Sequence, residues 1–99
     1  MKTLGVTLEE YKNHYIGNIF SWGDWEQGWM GKVIIVDIDK KHIYLQSVYK
    51  EKDIVFIKDR VKPIEKEWFI NTETPMKLTH KEFEKDLIKK YTFVEKINL

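Results

Sequence analysis

Three tryptophans, Trp22, Trp25 and Trp29, fall within one short stretch, with Asp24 and Glu26 between them and Gly23, Gly28 and Gly31 around them. Indole rings in a polar, glycine-rich segment do one of two things. They cover the open end of a small core, or they anchor a partner. The acidic neighbours suit a basic or apolar protein surface better than a phosphate backbone. Trp22, Asp24, Trp25, Glu26 and Trp29, joined by Trp68, therefore form the first candidate binding face. The second candidate is Lys40, Lys41, Tyr44, Lys50 and Lys52, with Tyr49 and Phe56 nearby. Lysines beside aromatic rings on a strand surface can neutralise phosphates and stack bases of single-stranded nucleic acid. The same residues also read more simply as a cross-strand core with lysines at its turns, and neighbouring aspartates and glutamates offset the field.

Catalytic arrangements are harder to find. His14, His42 and His80 lie far apart, and none sits at a metal-ligand spacing. Ser21 and Ser47 belong to no nucleophile-elbow sequence. Asp37 and Asp39 straddle Ile38, and Asp24 and Glu26 straddle Trp25. Such pairs can hold Mg²⁺ or share a proton. Here they read as turn chemistry and solvated charge, because the DIDKK stretch lacks the glycine and spaced oxygens of a calcium loop. Gly28 and Gly31 lack the lysine and Ser/Thr of a phosphate loop. The chain has no cysteine, which removes disulfides and thiolate metal sites. The expectation is no enzyme, no metal and no cofactor.

Composition sets wider bounds. The 99 residues fit a single domain, 1–99. With 42% hydrophobic and 33% charged residues, the chain has the balance of a globular protein rather than a disordered one. Seventeen basic residues against 16 acidic ones give a net charge of +1, which argues against a broad basic face. Arg60 is the only arginine, so bidentate phosphate readout has little to work with. The first residues lack an apolar signal core, and the longest aliphatic run, residues 33–36, is too short for a bilayer. No membrane association and a cytoplasmic location are expected, the latter in keeping with the absent cysteine.

The elements that must position these residues follow from local signals. Thr7 reads as a helix N-cap with Glu10 completing a capping box and Val6 and Tyr11 a hydrophobic staple. Leu8, Tyr11 and Tyr15 continue at helical spacing until Gly17 stops the helix. Residues 1–6 read as a frayed end or a short edge strand. The glycine density of residues 16–31 predicts a loop, with a short helical turn at 24–27. Strands are expected at 33–38, 42–49, 54–57 and 68–70, with an edge piece around Pro63. In the first of these, Val33 and Ile35 point one way, and Ile34, Val36 and Ile38 the other. Leu78, Thr79, Glu82 and Phe83 repeat the staple and capping box, opening a helix over 80–91 whose stripe is Phe83, Leu87, Ile88 and Tyr91. Residues 92–99 are expected to return as a last strand or to pack as a tail.

Residues 31–64 read GKVIIVDIDKKHIYLQSVYKEKDIVFIKDRVKPI. A glycine, a strand, a DxDKK turn, a second strand through Leu45 and then IVFIKDRVKPI resemble the rhythm of SH3-like or Sm-like barrels. They look most like the C-terminal portion of YolD-like proteins of Bacillus and its phages. The resemblance implies a small accessory protein of Gram-positive bacterial or mobile-element origin, and it carries no site residues with it. The fold expected is α+β: a small, bent antiparallel sheet, or a partly open SH3-like barrel, of four or five strands with an N-terminal and a C-terminal helix. The function expected is a non-enzymatic protein-binding or regulatory module with an unidentified protein partner. The alternative is a nucleic-acid-binding protein using the lysine and tyrosine strand surface. An open sheet of this kind also leaves edges through which two copies can pair into a homodimer.

Overall fold

The computed structural model describes residues 7–24 and 29–99, with the backbone alone at residues 24, 29 and 30. The expected edge strand at 1–6, the Val6 staple and residues 25–27 of the expected helical turn lie outside the described residues.

Helix α1, Leu8–Tyr15, starts where Thr7 Oγ1 accepts the Glu10 amide at 3.1 Å. The Glu10 carboxylate accepts from the Thr7 hydroxyl, a second tie between the two residues. Gly17 ends the helix with φ +94°, a conformation that side chains with a Cβ rarely adopt. Its amide donates to Ile35 O at 2.9 Å and its carbonyl accepts from Ile97 N at 3.0 Å. The glycine thus stitches the helix end to two strand segments.

Among the described residues seven antiparallel strands follow: β1 Asn18–Asp24, β2 Trp29–Ile38, β3 His42–Lys50, β4 Val61–Pro63, β5 Trp68–Asn71, β6 Met76–Thr79 and β7 Thr92–Lys96. Their order is β4-β5-β3-β2-β1-β7. The long strand β3 has two partners on one side, β6 along its first half and β5 along its last residues. Helix α2, His80–Lys89, begins directly after β6 with a complete capping box between Thr79 and Glu82. This is the expected α+β fold with a helix near each end. Two strands go beyond the expected four or five: β1, in the segment read as a loop, and β6.

Two bulges decide which residues face which core. Between Ile35 and Asp37 the β2–β3 register shifts, with Ile35 opposite Leu45 and Ile38 opposite Ile43. The extra residue, Val36, reverses the alternation, so Ile38 joins Val33 and Ile35 instead of Ile34. A second shift between β1 and β7 sets Phe20 opposite Phe93 and Ile19 opposite Glu95. Both helices lie on one face. There Tyr11 and Phe83 close a core over Phe20, Val33, Ile35, Ile38, Ile43 and Leu45. Tyr11 donates its hydroxyl to Glu84 Oε1 at 3.2 Å, joining the helices, and burial pushes its phenol well above the ordinary range. Burial, then the nearby Asp86, pushes Tyr91 up to about 12.

The other face carries a second core of Ile19, Ile34, Val48, Trp68, Ile70 and Ile97, with no helix over it among the described residues. The sheet covers itself by curling. The Trp68 indole N–H donates to the Glu95 carboxylate, so β5 and β7, with three strands between them in the order, meet through side chains. No backbone pairing joins them, and the sheet is open. The SH3-like closed barrel is therefore corrected. The strand expected at 54–57 is corrected too. Those residues form turns between two short 3₁₀ segments, with Ile54 buried and Phe56 95% exposed. Among the described residues no helix is long and apolar enough to cross a membrane.

Candidate functional site

The hairpin β1–β2 sets Ser21 opposite Lys32, and Trp22 opposite Gly31. Strand alternation then sorts these neighbours onto two faces. Ser21 and Lys32 share a face with Ile19 and Ile34, and β3 adds Val48 and Lys50 to it. Beyond β3 the 3₁₀ turn Glu51–Asp53 brings Lys52 and Asp53 alongside. The result is a cleft of about 450 Å³ lined by Ser21, Gly31, Lys32, Val48, Tyr49, Lys50, Lys52 and Asp53. Among the described residues three lysines and one aspartate line it, a balance that favours anions.

Lys50 is held in place. Its Nζ lies 4.0 Å from the centre of the Trp68 ring and donates to Lys66 O at 3.5 Å. The buried indole, 2% exposed, passes its N–H to Glu95. Donation to a carboxylate makes the ring face more negative and a better seat for an ammonium. Glu95, Trp68 and Lys50 form a relay that fixes one charge at the cleft wall, while Lys32 and Lys52 remain exposed.

This geometry divides the second candidate set. Lys50 and Lys52 meet at one end of β3, whereas Lys40, Lys41 and Tyr44 sit at the other. At about 3.3 Å per residue, Tyr44 lies roughly 20 Å and Lys41 roughly 30 Å along the chain from Lys50. Tyr44 donates its hydroxyl to Asp39 Oδ2 at 2.7 Å, and Asp39 Oδ1 accepts the amides of Lys41 and His42. Those residues build a turn. Lys32 and Ser21, which replace them, belong to the hairpin that the glycines concealed.

The tryptophan face divides as well. Trp68 is core on the uncovered side of the sheet, and Trp22 packs against the helix-side core. The structure does not bring them together. Trp25 and Glu26 lie outside the described residues, as do the side chains of Asp24 and Trp29. Trp22 lines a smaller cleft of about 230 Å³ with Val33, Leu45, Glu73 and Met76 among its walls. Its ring lies across Gly31, where an added Cβ would come within 3.0 Å of it.

His80 Nε2 pairs with Asp39 O at 2.7 Å, tying the start of α2 to the β2–β3 turn. His42 stays near Tyr44, and His14 near Tyr15. Among the described residues no group of three or more His, Asp or Glu side chains gathers around a metal-sized space.

No family model matches the chain, and no curated protein and no solved structure matches it either. The resemblance of residues 31–64 to YolD-like proteins is corrected accordingly. With it go the phage or mobile-element origin and the barrel it implied, since the strand expected within IVFIKD does not form. The comparisons give a protein-binding role no support.

Proposed function

We propose that the protein is a non-enzymatic nucleic-acid-binding protein of the cytoplasm that holds a single strand of DNA or RNA along the lysine cleft of β1, β2 and β3. One observation carries this reading: Lys32, Lys50 and Lys52 converge on one cleft, with the Ser21 hydroxyl as a further donor. Lysines act on phosphates as point charges and need no bidentate geometry, which suits a chain with a single arginine. The cytoplasmic part of the proposal is supported by a chain without cysteine. A homodimer through β7 belongs to the same proposal, supported by that strand's terminal place in the sheet and its exposed Val94.

Fluorescence anisotropy with labelled single-stranded DNA and RNA oligonucleotides tests it. Binding at low salt is expected to fall with added salt, with a log–log slope of about −0.7 for each phosphate neutralised. The K32E/K52E variant is expected to abolish binding and K40E/K41E to leave it intact. No binding at low salt, or equal loss in both variants, ends the proposal.

A further inference from the structure

The chain between β3 and β4 makes a turn whose central residues are apolar. Ile57 N donates to Ile54 O at 3.0 Å, which sets Val55 and Phe56 at the two middle positions. Such positions ordinarily hold glycine, proline, asparagine, aspartate or serine. Here Val55 is 60% exposed and Phe56 95% exposed. The turn is held at both ends. Ile54 is buried, and its amide donates to Glu51 O at 3.3 Å. Arg60 N donates to Ile57 O at 2.9 Å, and Arg60 O accepts both the amide and the hydroxyl of Thr72. A fixed frame thus presents a phenyl ring to solvent. We infer that Phe56 is the base-stacking residue of the lysine cleft, the group that makes it select single-stranded nucleic acid over other polyanions; this rests on the cleft's binding a nucleic-acid strand.

The chain itself ties the ring to the cleft. Asp53 lines the cleft and Phe56 follows three residues later, a span of at most about 11 Å. A strand seated on the three lysines has to run only that far to lay a base on the ring. The lysines alone do not tell a nucleic acid from polyphosphate or an acidic lipid, because each meets a phosphate as a point charge. A ring does tell them apart. Every base has a flat face, and stacking on an aromatic side chain tolerates any sequence. A duplex keeps its base faces covered, so the ring also favours an unpaired strand. The charges of the segment favour a base over a bilayer as the occupant. Around the ring, Lys52, Lys58 and Arg60 are offset by Glu51, Asp53 and Asp59. A neutral segment has little attraction for an anionic membrane surface, which draws polybasic ones. Stacking needs no net charge.

The test is fluorescence anisotropy at low salt with two labelled probes, a single-stranded oligodeoxynucleotide and an abasic strand of the same length. The natural protein is expected to bind the base-bearing strand about tenfold more tightly than the abasic one, in keeping with the loss of a stacked base. F56A and F56L are expected to bind both probes at the abasic level, and F56Y to keep the preference. The salt dependence is expected to be the same in all four proteins, because no charge is removed. Vesicles of phosphatidylserine and phosphatidylcholine are expected not to compete for the ring. Equal binding of the two probes by the natural protein overturns the inference, as does an undiminished preference in F56A. In either case, loss of the abasic strand in K32E/K52E still supports the lysine cleft. Full binding by F56L shows that apolar bulk rather than a ring is at work, and also overturns it. Vesicle binding that depends on Phe56 places the ring in a bilayer and does the same. No binding of either strand ends both this inference and the cleft reading.

Discussion

Asp39 is an exposed carboxylate with three donors on it: the Tyr44 hydroxyl, then the amides of Lys41 and His42. They hold its carboxyl down at about 2, against an ordinary 3.8. A lowered folded-state value means that protonation favours the unfolded chain. The stabilisation is complete above the ordinary value and is lost as the pH falls from there toward 2. Carboxyl titration by NMR is expected to place Asp39 near the lower limit, and Tyr44→Phe to raise it. An unchanged value in Tyr44→Phe would mean that the two amides alone hold the charge. Gly17 makes a stricter demand. Its φ is +94°, and a Cβ added there would sit 2.2 Å from Ile97 O, a backbone atom that cannot step aside. Left-handed backbone alone costs a non-glycine residue about 1–3 kcal/mol. Gly17→Ala is therefore expected to lose at least that in urea unfolding, while Ala at the exposed Asn13 changes little.

At the scale of elements, legibility tracked how local the cause was. Helix α2 was readable because its start is written in four neighbouring residues, Leu78, Thr79, Glu82 and Phe83. Both bonds of the capping box form, and the Thr79 amide, then its hydroxyl, hold the Glu82 carboxyl below its ordinary range. Thr79→Ala is expected to cost about 1 kcal/mol, which for a chain of this size lowers Tm by about 4–8 °C. Circular dichroism melting measures it. Strand β1 was hidden for the opposite reason. Asn18 and Gly23 weaken its strand signal, and what holds it is pairing to β2 and β7, remote in sequence. The run 54–57 shows the converse, since β-branched residues make no strand without a partner edge. The Val36 bulge left no trace because residues 33–36 are apolar throughout, and a reversal of faces changes nothing in such a pattern. The lysine cleft inherits this split. Lys50 and Lys52 were readable as neighbours, whereas Lys32 and Ser21 depend on the β1–β2 register.

The whole molecule poses a question that no single element answers: what covers the face without helices. The strand order sets β5 and β7 far apart, yet Trp68 donates to Glu95, and Ile97 enters the same core as Ile70. Because no backbone bonds close the ring, the curl rests on the packing of Trp68, Ile97 and their neighbours. Ile97, 3% exposed, is the part of that packing contributed from the β7 side. Ile97→Ala is expected to cost about 2–5 kcal/mol, as for other buried large-to-small changes. The more telling readout is where the loss appears. Native-state hydrogen exchange is expected to accelerate in β5 and β7 together, with the amides of α1 and α2 much less affected. Loosening confined to β7 would show an ordinary frayed edge and a second core that stands without it. Coupled loosening has only one route, since three strands lie between these edges in the sheet, and that route is the side-chain contact across the curl. The same contact seats Lys50 over Trp68, so the variant is also expected to weaken anion binding in the cleft although it removes no charge.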